Sequence, residues 1–150
     1  MTVDMRSFLQ EIKKTNDVFT VKKGVSTKYE IAAITEKLDE SKAVLFENIK
    51  GSKFKMVSNL VGSRDRFAQA IGAKKSDINQ KIVKAISSAK KPKISRTAKF
   101  FENSSKDTSI LPIVTHFQNE SGPFITSSIL YTGNQEKKSQ NSSFHRLMPI

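Results

Sequence analysis

Cysteine is missing from all 150 residues. That single absence removes disulfides, thiolate metal ligands and a cysteine nucleophile together. No run of residues approaches the ~20 apolar side chains needed to cross a bilayer. Charges are scattered through the first thirty residues, so no signal peptide is legible either. There is no internal repeat. Negative charge is thin where positive charge is dense: between residues 74 and 99 nine Lys/Arg face one acid, Asp77. The expectation from these absences is a soluble, cytoplasmic protein with no membrane span.

What is present suits one modest domain, or one domain and a piece of a second. Hydrophobic residues make up 37% of the chain and its mean hydropathy is -0.42, enough for a real core. The net charge of +12 is uneven, with 22 Lys/Arg against 10 Asp/Glu in residues 1–100 and 4 against 4 thereafter. Such an excess can be an electrostatic footprint for nucleic acid. No recognisable nucleic-acid module accompanies it, and Phe100 and Phe101 are the available stacking residues. A solvated basic face is therefore the expected reading of the run.

The pattern of apolar residues predicts alternating helices and strands over the first hundred residues. Asp4 stands as an N-cap before Met5, Phe8, Leu9 and Ile12 at helical spacing. Val18-Phe19-Thr20-Val21 reads as a short strand. Thr27 and Glu30 fall in capping-box register for a second helix with Ile31, Ile34 and Leu38 on its inner stripe. Ala43-Val44-Leu45-Phe46, four apolar residues in a row, reads as a strand buried on both faces. A third strand is expected near residues 55–60. Ser63 then caps a helix carrying Phe67, Ala68, Ala70 and Ile71 and ending at Gly72. Arg64 and Arg66 at its start are read mainly as fold support. A fourth helix from Ser76 would carry Ile78, Ile82, Ala85, Ile86 and Ala89 on one face. An α/β (α+β) layered domain follows from this alternation.

Residues 91–107, with Pro92, four Ser/Thr and many lysines, read as an exposed connector. A new unit begins at Leu111-Pro112-Ile113. Gly122-Pro123 turns into Phe124-Ile125-Thr126-Ser127-Ser128-Ile129-Leu130-Tyr131, the clearest strand in the chain. Thr132-Gly133-Asn134 is expected to turn it back, toward a partner strand over residues 140–147. One hairpin is marginal in water. It must therefore pack on the first domain, on another copy, or on chain that is not here.

The candidate site lies in that partner strand: Asn141-Ser142-Ser143-Phe144-His145-Arg146. An amide oxygen is a hard, neutral ligand for a divalent cation, and a guanidinium fork grips a carboxylate or phosphate with two parallel bonds. A polar strand end is the plain alternative. Asn141 and Arg146 stand five apart, so on a regular strand they face opposite sides. Joint service would require a twist, a bulge or a strand end.

Several stretches together resemble the UbiD decarboxylases. Phe46-Glu47-Asn48-Ile49-Lys50-Gly51 and Asn59-Leu60-Val61-Gly62-Ser63-Arg64-Asp65-Arg66, with Ala68 and Gly72, look like that family's N-terminal domain. Leu111-Pro112-Ile113, His116, Gly122-Pro123-Phe124-Ile125-Thr126 and Asn141…His145-Arg146 look like the start of its flavin-binding domain. The resemblance implies a UbiD-type α/β domain over residues 1–106 and, over 107–150, the first strands of a split β-barrel that binds prenylated FMN. It implies a carboxy-lyase that removes or adds CO2 at an unsaturated carbon, with prenylated FMN, manganese and potassium as cofactors.

By the same resemblance Asn141 is the metal residue and Arg146 the catalytic one, orienting the substrate carboxylate. Ser143, Phe144, His145 and Arg146 are cofactor-binding. The family's remaining metal ligands, a His and a Glu, would lie after Arg146, as would its catalytic carboxylates and its oligomerisation domain. His145 is not that metal ligand. The 150 residues then correspond to the front portion of an enzyme, inactive alone, whose full-length form is a homo-oligomer. The wording of residues 142–148 is similar to a small archaeal branch that includes decarboxylases of anhydromevalonate phosphate, which yield isopentenyl phosphate for isoprenoid synthesis. The substrate implied is thus a small unsaturated carboxylic acid. A 4-hydroxybenzoate-type aromatic acid is the second reading, and a non-catalytic subunit or a basic nucleic-acid-binding module the third.

Overall fold

The computed structural model describes residues 4–39, 41–90, 102–134, 136 and 139–149. In chain order its elements are α1 (Met5–Lys14), β1 (Val18–Val21), α2 (Glu30–Lys37), β2 (Ala43–Phe46), β3 (Met56–Ser58), α3 (Arg64–Ala70), α4 (Ile78–Ser87), β4 (Ile125–Asn134) and β5 (Ser139–Leu147). Short 3-10 turns occupy Lys75–Asp77 and Thr108–Ile110. The first three strands form a sheet in the order β1-β2-β3, with β1 parallel to β2 and β3 antiparallel to it. β4 and β5 pair with each other as an antiparallel hairpin. Helices and strands are thus layered as the residue pattern predicts.

β2 is the central strand because it can be buried on both sides. All four of its residues are buried, and alternation sends them to different cores. Val44 and Phe46 join Val25, Ile31, Ile49 and Val114, with Ile34 of α2 and its C-cap residue Leu38 packed alongside. Ala43 joins Phe8 and Ile12 of α1, with Leu60 and Ala70 at the margin. The α1 helix starts as expected: Asp4 accepts the Arg6 and Ser7 backbone N–H groups at 2.8 and 3.0 Å. The Ser7 hydroxyl returns the contact to the Asp4 backbone.

The second helix does not start as expected. Thr27 caps nothing; α2 begins at Glu30, behind Tyr29, whose φ of 68° is left-handed. The reason is a long-range pairing that outcompetes the local cap. Thr115 donates its N–H to the Thr27 carbonyl and accepts the N–H of Tyr29, each at 3.1 Å. Residues 27–29 are held beside residue 115, so the helix can only begin after them. Glu30 still reaches back, accepting the Ser26 N–H at 2.6 Å, and this hydrogen bond holds its carboxyl below the usual range. Val114 enters the first core through the same pairing.

The Asn59-to-Arg66 stretch closes the sheet. Ser63 caps α3 by accepting the Arg66 N–H at 3.2 Å. Gly72 follows the helix with φ +64°, a left-handed position that glycine occupies without steric cost. The Arg66 side chain is 4% exposed. Its guanidinium donates to the carbonyls of Ser41 and Asn59 at 3.1 and 3.3 Å. Asn59 adopts φ 52° and donates its side-chain amide to Thr35 O at 2.9 Å. Arg66 is therefore a fold residue. Arg64 is exposed and makes no hydrogen bond or ion pair among the described residues.

Three other expectations need correction. Ser76 lies in a 3-10 turn and bonds Asp77, so α4 starts two residues later than expected, at Ile78. The helix ends at Ser87, which leaves Ala89 beyond it. The apolar face of α4 exists but is exposed past Ile78, with Ile82 39% and Ile86 74% accessible. Thr132-Gly133-Asn134 is not a turn either. Those residues continue β4, paired with Asn141, Gln140 and Ser139, so the reversal falls between Asn134 and Ser139. The expected connector lies outside the described residues up to position 101, including Phe100, Phe101 and the lysines of residues 91–99. Residues 103–107 have no regular structure.

Candidate functional site

The sequence-predicted site residues all lie on β5, whose burial is slight along its length. The strand forms because Ser139–Leu147 pairs residue for residue with β4: Asn141 opposite Thr132, Ser142 opposite Tyr131, Ser143 opposite Leu130, Phe144 opposite Ile129 and His145 opposite Ser128. The Ser128 hydroxyl also donates to the His145 carbonyl. Opposed residues share a face, so the hairpin divides in two. One face carries Ser128, Leu130, Thr132, Asn141, Ser143 and His145. The other carries Ile129, Tyr131, Ser142, Phe144 and Arg146.

On the first of these faces, His145 Nε2 and Ser143 Oγ lie 2.9 Å apart. Thr132, Gly133, Ser139, Gln140 and Asn141 line a shallow depression beside them. Asn141 is exposed there, with its amide open to a ligand. On the opposite face Phe144 is 85% exposed. The Arg146 guanidinium carbon sits 4.7 Å from the centroid of the Phe124 ring. The structure therefore brings Asn141, Ser143 and His145 together and sets Phe144 and Arg146 on the other side.

The pairing is interrupted at one point. Between Ile125 and Ser128 the register shifts, with the extra residue on β4. That bulge lies opposite Arg146, one residue before the end of β5. Bulges increase local twist and re-aim side chains, so Arg146 stands where the hairpin geometry can turn toward the other face. Phe124 was read from sequence as part of a strand and of the motif over residues 122–126, not as a site residue. Its signal was an aromatic residue directly ahead of a strand whose partner carries an arginine one residue from its end.

A phosphate-linked divalent metal requires more donors than this strand supplies. Asn141 offers one neutral oxygen, while a hard divalent cation takes about six ligands, commonly including carboxylates. No group of three or more His, Asp or Glu side chains able to hold a metal exists among the described residues. The residues present fit one edge of such a site. The nearest His–Glu pairing, His116 with Glu120, is a backbone clamp in which Glu120 accepts the His116 N–H at 2.7 Å. Among the described residues no helix is long and apolar enough to cross a membrane.

Comparison with known proteins agrees with this architecture. The family model for the 3-octaprenyl-4-hydroxybenzoate carboxy-lyase N-terminal domain matches residues 9–86, and that for the Rift-related domain of the same carboxy-lyase matches residues 88–150. The chain belongs to the UbiD family of carboxy-lyases. Among curated relatives it is 32% identical over 147 residues to the anhydromevalonate phosphate decarboxylase of Methanosarcina mazei, covering 97% of this chain and 33% of that protein. It is 27% identical over 146 residues to the enzyme of the same name from Methanothermobacter thermautotrophicus, covering 97% and 34%.

Among solved structures it resembles the UbiD-class enzyme HmfF from Pelotomaculum thermopropionicum in complex with FMN. That match has a TM-score of 0.90 at 29% identity, over 95% of this chain and 34% of that one. An evolved dimeric form of HmfF in complex with prFMN matches at 0.82 and 26% identity, over 95% and 35%. The chain spans about a third of the length of the curated relatives it matches.

Proposed function

We propose that this chain supplies the N-terminal domain, over about residues 1–106, and the opening strands of the flavin-binding split barrel, over about 107–150, of a UbiD-type decarboxylase. The observation that carries the reading is the conjunction of an exposed Asn141 and an Arg146 whose N–H donors are open to a ligand, on one strand of a chain in that family. Asn141 is read as one ligand of a divalent metal, manganese by family resemblance, at the cofactor phosphate. Potassium is carried over on the same ground. Ser143 and His145 on one face and Phe144 on the other are all read as cofactor-binding, which requires the twist at the β4 bulge to bring the two faces to one ligand. Arg146, permanently charged and bidentate, is read as the residue that orients the substrate carboxylate.

Loss of CO2 from an unsaturated carbon leaves an electron pair with no acceptor, and a bound prenylated flavin supplies that acceptor. The chain's own part is orientation. A guanidinium fork holds both carboxylate oxygens, fixing the C–C bond that must break, and the amide oxygen of Asn141 adds no charge at the phosphate end. Proton return to the product carbon calls for an acid of tuned pKa, which this reading assigns to residues beyond position 146. A homo-oligomeric assembly is part of the proposal, supported by the dimeric form of the HmfF relative.

Anhydromevalonate phosphate is the favoured substrate, supported by the name shared by two curated relatives and by the wording of residues 142–148. A 4-hydroxybenzoate-type acid is the runner-up, favoured by the description of the family models. The test is to load the enzyme carrying this chain with prenylated FMN, manganese and potassium and follow CO2 release from each acid. Preferential release from anhydromevalonate phosphate supports the reading. Preferential release from 4-hydroxybenzoate transfers it to the aromatic branch, and release from neither overturns it.

A further inference from the structure

We propose that Phe124 is the positioning residue for Arg146, holding its guanidinium in place through a ring face while leaving its N–H donors to a ligand. The inference rests on the decarboxylase reading for the identity of the ligand's carboxylate, but its geometry stands apart from that reading. Among the described residues the Arg146 side chain makes no hydrogen bond or ion pair, and its guanidinium carbon stands 4.7 Å from the centroid of the Phe124 ring. An acidic side chain in that place would occupy the fork that a carboxylate needs. An aromatic ring attracts the cation through its quadrupole and consumes no donor.

The ring is itself anchored. The Phe124 N–H donates to the Val114 carbonyl at 3.1 Å, and the Val114 side chain is buried among Val25, Ile31, Val44, Phe46 and Ile49. Phe124 is half-buried, whereas Arg146 is exposed at the end of β5. The β4 bulge between Ile125 and Ser128 follows directly after Phe124. It lets the chain leave its anchor at Val114 and still pair with β5 while the ring lies beneath Arg146. A flexible, exposed arginine loses rotamer freedom when it binds. A ring whose backbone is tied to Val114 makes part of that loss before the ligand arrives.

The test uses two substitutions and two readouts. Phe124→Leu keeps apolar bulk and removes the π face, and Phe124→Tyr keeps both. In NMR spectra of the 150-residue chain, the Arg146 side-chain N–H and Cδ protons should be ring-shifted upfield in the wild type and in Phe124→Tyr. They should return to free-arginine positions in Phe124→Leu, with the melting temperature of each variant recorded alongside. In the loaded enzyme, Phe124→Leu should lower kcat/KM about fivefold, mainly through KM, as expected for loss of one cation–π contact, and Phe124→Tyr should recover most of it. Unshifted Arg146 protons in the wild type overturn the proposal. So does a ring-shifted wild type whose Phe124→Leu variant turns over with unchanged KM. A ring-shifted Arg146 in an enzyme that decarboxylates nothing sustains the positioning and overturns the decarboxylase reading instead.

Discussion

Tyr29 donates its backbone N–H to the carbonyl of Thr115 at 3.1 Å, and Thr115 returns a bond of the same length to Thr27. This exchange joins the start of α2 to the segment that leads into the hairpin. It also places Val114 in the core built on β2. The hairpin is therefore tied to the first domain through residues 114 and 115.

Val114→Ala should destabilise the first domain by about 2 kcal/mol, the order expected for a buried aliphatic side chain. Phe46→Ala, at a fully buried site on the same side of β2, should cost about 3–5 kcal/mol. Urea unfolding followed by far-UV circular dichroism measures both. A Val114→Ala midpoint equal to the wild type would mean that residues 114 and 115 are not seated on the first core.

Ser63→Ala should cost about 1 kcal/mol by removing the cap of α3. Arg66→Ala should cost more, about 2–3 kcal/mol, because it leaves the Ser41 and Asn59 carbonyls without their charged donor. Arg64→Ala, on the exposed side of the same turn, should change the melting temperature little. Equal effects at positions 64 and 66 would contradict the division of labour between these two arginines.

Stability should fall on acidification through Asp4 and Glu30. Backbone hydrogen bonds, from Ser7 to Asp4 and from Ser26 to Glu30, hold both carboxyls below their ordinary values of 3.8 and 4.5. The folded state therefore binds protons less readily than the unfolded one. The contribution is fully present above those ordinary values and is lost as pH falls through the lowered ones. Glu30→Gln should lower the melting temperature at pH 7 and flatten its decline below about pH 4.5. Parallel melting curves for wild type and Glu30→Gln across that range would remove Glu30 from the account.

What could be read from sequence was the local and the strongly periodic. Ala43 to Phe46 could only be a strand covered on both faces, and Ser63 and Gly72 mark the two ends of α3 by chemistry that acts within a few residues. Long-range competition was not legible. Thr27 and Glu30 satisfy a capping-box pattern, yet residue 115 claims the backbone that the cap would have used. Thr132-Gly133-Asn134 has turn composition, but continued pairing to Ser139, Gln140 and Asn141 outweighs it. At the candidate site, spacing alone put Asn141 and Arg146 on opposite faces of β5. The bulge opposite Arg146 and the ring beneath it depend on β4 and on Val114, which no pattern within residues 141–146 could reveal.

The 150-residue chain by itself should release no CO2 when mixed with prenylated FMN, manganese, potassium and either candidate acid. Asn141 supplies one ligand where about six are wanted, and Arg146 cannot deliver a proton. A headspace assay for CO2 checks this. Turnover by the chain alone would move the catalytic acid into residues assigned here to the fold.

The central claim is that Arg146 orients the substrate while Asn141 serves the metal and cofactor, and the most direct measurement separates those two roles. Arg146→Ala and Asn141→Ala are introduced into the enzyme carrying this chain. Flavin absorbance and bound manganese are measured after gel filtration, and CO2 release is measured on the same samples. The account predicts that Arg146→Ala retains flavin and manganese but loses turnover, while Asn141→Ala loses flavin and manganese together. Full turnover by Arg146→Ala, or undiminished manganese in Asn141→Ala, would contradict it.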